Sequence, residues 1–526
     1  MFKRKNIIII GGGVNGLSAA LELSRRPFSF LCRKITIIEG DKTIGGLARH
    51  ADYCYGLPKT TRSQLFWGGF RLGKKMTSIV LGGNEEQIMI TPTRKGTKYV
   101  GLDRTLAKNH HRLEKKLRRY IALWKKIATT RPPQLKGRQA DIINLIKIGW
   151  AFKLMRKKSQ YEFLKIITQN VDDVFNEHLA EGNSQALTSL WNFHSYHGSG
   201  LYATHSGSMT ALWFRQSHDK NLGLSAYEFY SQKFFRAFER ILKMRGVAIE
   251  TEKKITAITS ITKNHQQTIT GIKLTNGKTM PADIVLSTLT PHRTINLVGA
   301  REFDGELVRR SRHVRGRALV AKMIITPKSL PEIFAHHKKK PLRVIITAGR
   351  QALEHQFLDS KYQSYPSEFP IAMTLRHNKL WLQIFNQPLR ANQNANQVKK
   401  IVLTQLKKYF PDMVVQKADI ILPNDMLAYA GGENYNEKNN QNFPKSHPAA
   451  WHHADMALDQ TWLLRPINGL ASGASVGFSH YRTPIKNLYV GGASCHPGGD
   501  LNGMAGILAA KTIIKTTKQK NKGTSL

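Results

Sequence analysis

Three glycines, Gly11, Gly13 and Gly16, stand at the spacing G-x-G-x-x-G directly after four isoleucines, Ile7 to Ile10, and an acid, Glu39, closes a second apolar run. Chemistry in that pattern is recognition of a phosphate-linked dinucleotide. The first glycine allows a tight turn. The second lets a pyrophosphate approach the backbone, and the third lets the next helix pack close to the strand. Anions favour such a helix start because its amides lack partners and its dipole is positive there. Glu39 is placed to accept from ribose hydroxyls. A glycine triplet alone is weak evidence; strand, glycines, helix, strand and acid in this order are strong.

These residues need particular elements to hold them. Ile7 to Ile10 and Ile35 to Ile38 read as buried parallel strands, and residues 17–26 read as the helix between them. Asp41 to Leu47 follows as a short loop with paired glycines, Gly45 and Gly46. At the far end, Asn487 to Val490 is another apolar run entering glycines, Gly491 and Gly492. Ala493 to Gly506 then leads into a small-residue helix from Ile507 to Ile514. In between, Val247 to Glu250, Ile255 to Ser260, Ile269 to Thr275 and Asp283 to Thr288 read as strands, with a hairpin turn at Asn276-Gly277.

Together the two ends resemble the phytoene desaturase branch of the FAD amine oxidase superfamily. The carrying motifs are the N-terminal glycines, the paired glycines, the turn at Ser206 to Leu212, and the segment His496-Pro497-Gly498-Gly499. The resemblance spans roughly 1–75, 200–300 and 455–515. It implies FAD as cofactor, held by Gly11, Gly13, Val14, Asn15, Gly16, Glu39, Gly45, Gly46, Leu47, Ile255, Gly492, Asp500, Leu501 and Asn502. It implies a flavin desaturase, isomerase or saturase on a long apolar, carotenoid- or polyene-like small molecule. Arg49-His50 stands where the family commonly carries a carboxylate, and Asp500 where many relatives have glycine; both departures bear on the substrate more than on the cofactor. A flavin amine oxidase and a flavin-binding interaction protein without turnover are the alternatives.

The expected fold class is α/β and α+β. A discontinuous Rossmann-like FAD-binding domain (1–75, 205–295 and 465–526) would receive an inserted substrate domain (76–204 and 296–464), built of a mixed sheet and a helical cap. Residues 76–204 read as helical and basic, and 515–526 as a disordered basic tail. Strands at Ala318 to Thr326, Leu342 to Thr347, Ile371 to Leu375 and Leu380 to Ile384, with a helix from Gln397 to Phe410, suit the substrate sheet.

Flavin carries its own redox chemistry, so few acid–base residues are needed. His496 is the candidate catalytic side chain: it would tune the flavin or move a proton, the alternative being a structural His bonded to a backbone carbonyl. Trp191, Phe193, His194, Tyr196, His197 and Tyr202 suit either an apolar tunnel or a packed aromatic core. Only one G-x-G-x-x-G follows a strand, which points to dioxygen or a quinone as electron acceptor. The three cysteines, Cys32, Cys54 and Cys495, form no C-x-x-C and no metal-ligand spacing. That excludes disulfide reduction, and the count suits a reducing compartment. Cys495 reads as a small buried residue rather than a covalent flavin tether.

The chain has 526 residues and a net charge of +45, from 80 Lys plus Arg against 35 Asp plus Glu. No nucleic-acid module is recognisable. An anionic membrane surface and a general basic bias are the two remaining readings. Residues 1–24 imitate a signal peptide, but their glycines all belong to the dinucleotide motif, so they read as mature structure. The longest apolar stretch, 141–155, is interrupted by Lys147 and Lys153, too short to span a bilayer. The expectation is a cytoplasmic protein, peripheral on the membrane through basic amphipathic helices within 102–158.

Overall fold

The computed structural model describes residues 5–25, 32–46, 53–55, 81–93, 96–101, 120, 123, 142–178, 204, 208–209, 226–229, 231–313, 319–335, 342–347, 350–362, 364–376, 378–388, 394–422, 481–492, 495 and 503–523. A five-stranded parallel sheet is assembled from distant parts of the chain, in the order β17 (Leu488–Val490), β11 (Ile284–Ser287), β1 (Lys5–Ile10), β2 (Cys32–Ile38) and β7 (Ala248–Glu250). Parallel strands covered on both faces must be apolar throughout. Ile7 to Ile10 and Ile284 to Leu286 are indeed all buried.

Helix α1 (Val14–Leu23) follows β1, and α11 (Met504–Gly523) follows β17. The two helices pack on each other and join the same apolar core. Helix α5 (Ser231–Met244) presents Phe234, Phe235, Phe238, Ile241 and Leu242 to that core. Arg245, just past its end, donates to the Leu21 carbonyl at 3.0 Å, where the end of α1 favours a cation.

Two further sheets complete the described architecture. One is antiparallel: β8 (Ile255–Lys263), β9 (Gln266–Leu274) and β10 (Thr279–Pro281). Its β9–β10 turn uses Asn276 and Gly277, with Gly277 at φ +80, as the dipeptide predicts. The other is larger and mixed, in the order β16 (Val414–Ile421), β12 (Leu319–Ser329), β15 (Lys379–Gln387), β14 (Ile371–Arg376), β13 (Leu342–Ile346), β4 (Leu81–Thr93), β6 (Ala226–Phe229) and β3 (Tyr53–Tyr55), with β5 (Gly96–Gly101) also paired to β4. One face packs on α10 (Ala395–Tyr409) through Val398, Val402 and Leu406. The Gln405 amide ties that helix to the Phe369 backbone, accepting at 3.0 Å and donating at 2.8 Å. The alternate positions of these strands carry buried polar residues instead: Lys322, Arg343, Thr374 and Gln383.

The structure differs from the sequence reading in three places. Residues 81–93 and 96–101 are strands, not part of a helical region. β3 and β6 belong to the large mixed sheet although both fall in stretches assigned to the FAD domain. Residues 515–523 continue α11 rather than forming a tail. Thr516 and Thr517 bond back to the carbonyls of Thr512 and Ile513, Thr517 is buried, and Arg482 holds Thr516 at 2.8 Å. Apolar periodicity therefore outlasts the onset of the lysines. Among the described residues, no helix is long and apolar enough to cross a membrane.

Candidate dinucleotide-binding site

The turn from β1 into α1 is locked from several sides. Gly11 adopts φ +99, a region that favours glycine, and a Cβ there would stand 2.5 Å from Thr288 Oγ1. Thr288, just beyond β11, donates its hydroxyl to the Ile10 carbonyl at 2.7 Å. A Cβ on Gly16 would lie 2.0 Å from the Gly11 carbonyl, so α1 begins against the turn itself. Gly13 is different. Nothing stands within 4 Å of the position its Cβ would occupy. Gly13 also caps α1 without a side-chain hydrogen bond, and the first intrahelical bond runs from Leu17 N to Gly13 O at 3.0 Å. The amides of Val14, Asn15 and Gly16 therefore lack helical acceptors and face the N-terminal end of the dipole.

The paired glycines close over this turn. Gly45 N donates to Gly12 O at 2.8 Å, and Gly45 bridges Gly13. Glu39 braces it from the side. Its carboxylate accepts from Gly12 N at 2.7 Å and from Asp41 N at 3.1 Å. The carboxylate retains acceptor capacity for a further donor. Burial pushes the Glu39 carboxyl above its ordinary value and the nearby Asp41 charge adds to this, while the amides of Asp41, Gly12 and Gly40 pull it down. The backbone of Lys253 donates to Glu39 O at 2.9 Å, so Ile255, two residues on, starts β8 beside the acid.

The C-terminal segment meets the same place. Gly492 lies so close to Thr288 that a Cβ would stand 2.4 Å from its carbonyl. Asn15 Oδ1 accepts from Gly506 N at 3.3 Å, and a Cβ on Gly506 would lie 1.9 Å from Asn15 O. Cys495 is buried, and its amide donates to Gly492 O at 3.0 Å. Of the residues singled out in the sequence, Gly11, Gly13, Val14, Asn15, Gly16, Glu39, Gly45, Gly46, Ile255 and Gly492 fall among the described residues; Leu47, His496, Asp500, Leu501, Asn502 and the aromatic cluster 191–202 lie outside them. Sequence reading missed Thr288 and the close crossing at Gly503 and Gly506. The small residues Gly503, Ala505, Gly506 and Ala509 were the available signal for the crossing.

Residues 9–76 match the NAD(P)-binding Rossmann-like domain family. The chain carries a Rossmann-like dinucleotide-binding fold. Over 319 residues it is 23% identical to mouse pyridine nucleotide-disulfide oxidoreductase domain-containing protein 2, covering 52% of this chain and 48% of that one. The chain thus spans about half the length of the mammalian relative it matches. The rat protein of the same name is 22% identical over 318 residues. Among solved structures, a putrescine oxidase with a redesigned cofactor-binding site is similar at a TM-score of 0.54 and 11% identity, over 98% of this chain and 99% of that one. An oxidoreductase from Methanosarcina mazei is similar at a TM-score of 0.50 and 13% identity, over 97% and 100%. The α/β class with a Rossmann-like domain expected from the sequence is the one observed, and the similarity extends to pyridine nucleotide-disulfide oxidoreductase domain-containing protein 2.

Proposed function

We propose that the protein is an FAD-dependent oxidoreductase of the desaturase, isomerase or saturase type acting on a long apolar substrate; as a desaturase it would pass the two electrons taken from the substrate to dioxygen or a quinone. The observation that carries the cofactor in this reading is the contrast at the glycine turn; the substrate class rests on the motif resemblance. Gly11, Gly16, Gly492 and Gly506 are filled by the chain's own atoms, whereas Gly13 borders open space at a helix N-terminus. The residues fit a pyrophosphate there and a ribose at Glu39. Bound FAD would supply the acceptor for a hydride or an electron pair.

The chain's own groups would then bind and orient. Amides of Val14, Asn15 and Gly16 would hold the phosphates, and Asn15 would keep the starts of α1 and α11 in register. Glu39 would accept from the ribose while bracing Gly12. His496 is assigned from the sequence to hold or move a proton beside the ring. The cofactor domain in this reading is discontinuous, drawn from 1–75, 205–295 and 465–526 without the two strands that join the large sheet.

Purified protein should release FAD on denaturation. Anaerobic reduction of that flavin by polyenes, and not by amines, is the expected result. Reduction by amines alone would overturn the apolar-substrate reading, and absence of any flavin would overturn the cofactor.

Glu39 makes the binding pH-dependent. An acid with a raised folded pKa stabilises the fold only while protonated, and that contribution is lost as pH rises from the ordinary carboxylate range through the raised value. Ribose hydroxyls favour the charged form, so FAD affinity should move the opposite way, tightening over the same rise. Glu39→Gln should flatten that pH dependence and cost about 2 kcal/mol, roughly thirtyfold in Kd. Flavin fluorescence titrations across acidic to neutral pH measure both.

A further inference from the structure

The outer face of two consecutive helices is apolar, exposed and ringed by cations. In α2 (Ile142–Lys153) and the residue after it, Ile146, Gly149, Trp150, Lys153 and Leu154 recur at i, i+3, i+4, i+7 and i+8, and all five are exposed. In α3 (Lys157–Thr168), Lys157, Tyr161, Leu164 and Thr168 share one exposed stripe. The large apolar members, Ile146, Trp150, Leu154, Tyr161 and Leu164, are between 49% and 73% exposed. A core does not require them. The opposite side of α3 is already satisfied, with Phe163 and Ile166 buried and the rings of Tyr120 and Phe152 each 6.0 Å from Phe163. The corner between the helices is fixed as well, because Gln160 Nε2 donates to Met155 O at 2.8 Å and to Phe152 O at 3.2 Å. The face is thus a preformed surface, not a fraying end.

We infer that this face docks on an anionic lipid surface, independently of the substrate reading. Charge decides the occupant. Lys153, Arg156, Lys157 and Lys158 are all exposed around the apolar residues, while Lys165 is paired with Glu177. A second copy would bring the same cations against them, which is repulsive. An anionic bilayer is complementary in both respects: long cationic side chains reach the headgroups while apolar groups enter the acyl boundary. Trp150 and Tyr161 have an apolar body and a polar tip, the chemistry suited to that boundary. The chain's +45 charge adds long-range attraction that salt screens beyond ~8 Å.

Co-sedimentation of the full chain with vesicles of neutral phosphatidylcholine, and of the same lipid mixed with phosphatidylglycerol, tests this. Binding to the anionic vesicles alone, weakening as salt rises, is expected. The double variant Trp150→Glu with Leu154→Glu, and separately Lys157→Glu with Lys158→Glu, should each lose roughly tenfold or more in partitioning. Melting temperature and flavin content should stay unchanged, since these side chains are exposed. Equal partitioning onto both vesicle types would overturn the inference. So would unchanged binding by folded Trp150→Glu, Leu154→Glu protein. Light scattering of the same samples identifies the remaining occupant. A dimer that this variant dissolves, with vesicle binding intact, would reassign the face to a second copy.

Discussion

Gly506→Ala should lower the melting temperature by several degrees and strip the protein of cofactor. An alanine Cβ there would stand 1.9 Å from Asn15 O and 2.7 Å from Asn15 C, both backbone atoms of α1. No rotamer relieves such a contact, so α11 must move away from α1. Two effects oppose each other. Removing a glycine from a helix gains at most ~1 kcal/mol. Overpacking costs typically 1–3 kcal/mol, and a backbone collision belongs at or beyond the upper end. The collision wins, and the expected net loss is about 2 kcal/mol or more. Gly149→Ala isolates the other effect. Gly149 lies within α2 with nothing near its Cβ position, so that variant should be neutral or slightly stabilised. Thermal melts of both proteins, with flavin content measured on the same samples, check the pair. A Gly506→Ala protein that melts with the wild type and keeps its flavin would mean that the helices do not cross where described.

The parallel sheet was legible in the sequence because burial on both faces leaves only apolar residues. Ile7 to Ile10, Ile284 to Leu286 and Leu488 to Val490 each announce themselves as short continuous runs. β4 was not, because Asn84-Glu85-Glu86-Gln87 interrupts its apolar residues and its parallel partner β13 lies far along the chain. β3 and β6 are too short to carry a period of their own. In α11 the lysines after Lys515 suggested a solvated tail, while Ile513, Ile514 and Thr517 keep one face buried. The site divides in the same way. Gly11, Gly13 and Gly16 are local and readable. Thr288 bonding to Ile10, and Gly506 lying on Asn15, are relations between distant residues that no local pattern marks.

Gly13→Val separates what the fold needs from what the ligand needs. Gly13 sits at φ −70 and ψ 175, ordinary extended backbone that valine adopts readily. Its Cβ position is open, with nothing within 4 Å. The protein alone therefore asks of glycine here only its preference as an N-cap, in contrast to Gly11 at φ +99 and Gly16 against a carbonyl. The apo fold should accept valine at a cost of about 1 kcal/mol, that of an apolar residue at a helix N-cap. The cofactor should not accept it, because the branched side chain fills the space through which a pyrophosphate reaches the amides of α1. An affinity loss of ~3 kcal/mol, on the order of a hundredfold, is expected. The measurements are flavin stoichiometry after purification and the melting temperature of cofactor-free wild type and variant. A melting temperature lowered by no more than the lost cap, with flavin lost, locates the phosphates at this turn. Full occupancy by the variant would remove the turn from the binding site, since the only atoms that glycine leaves room for would then not be there.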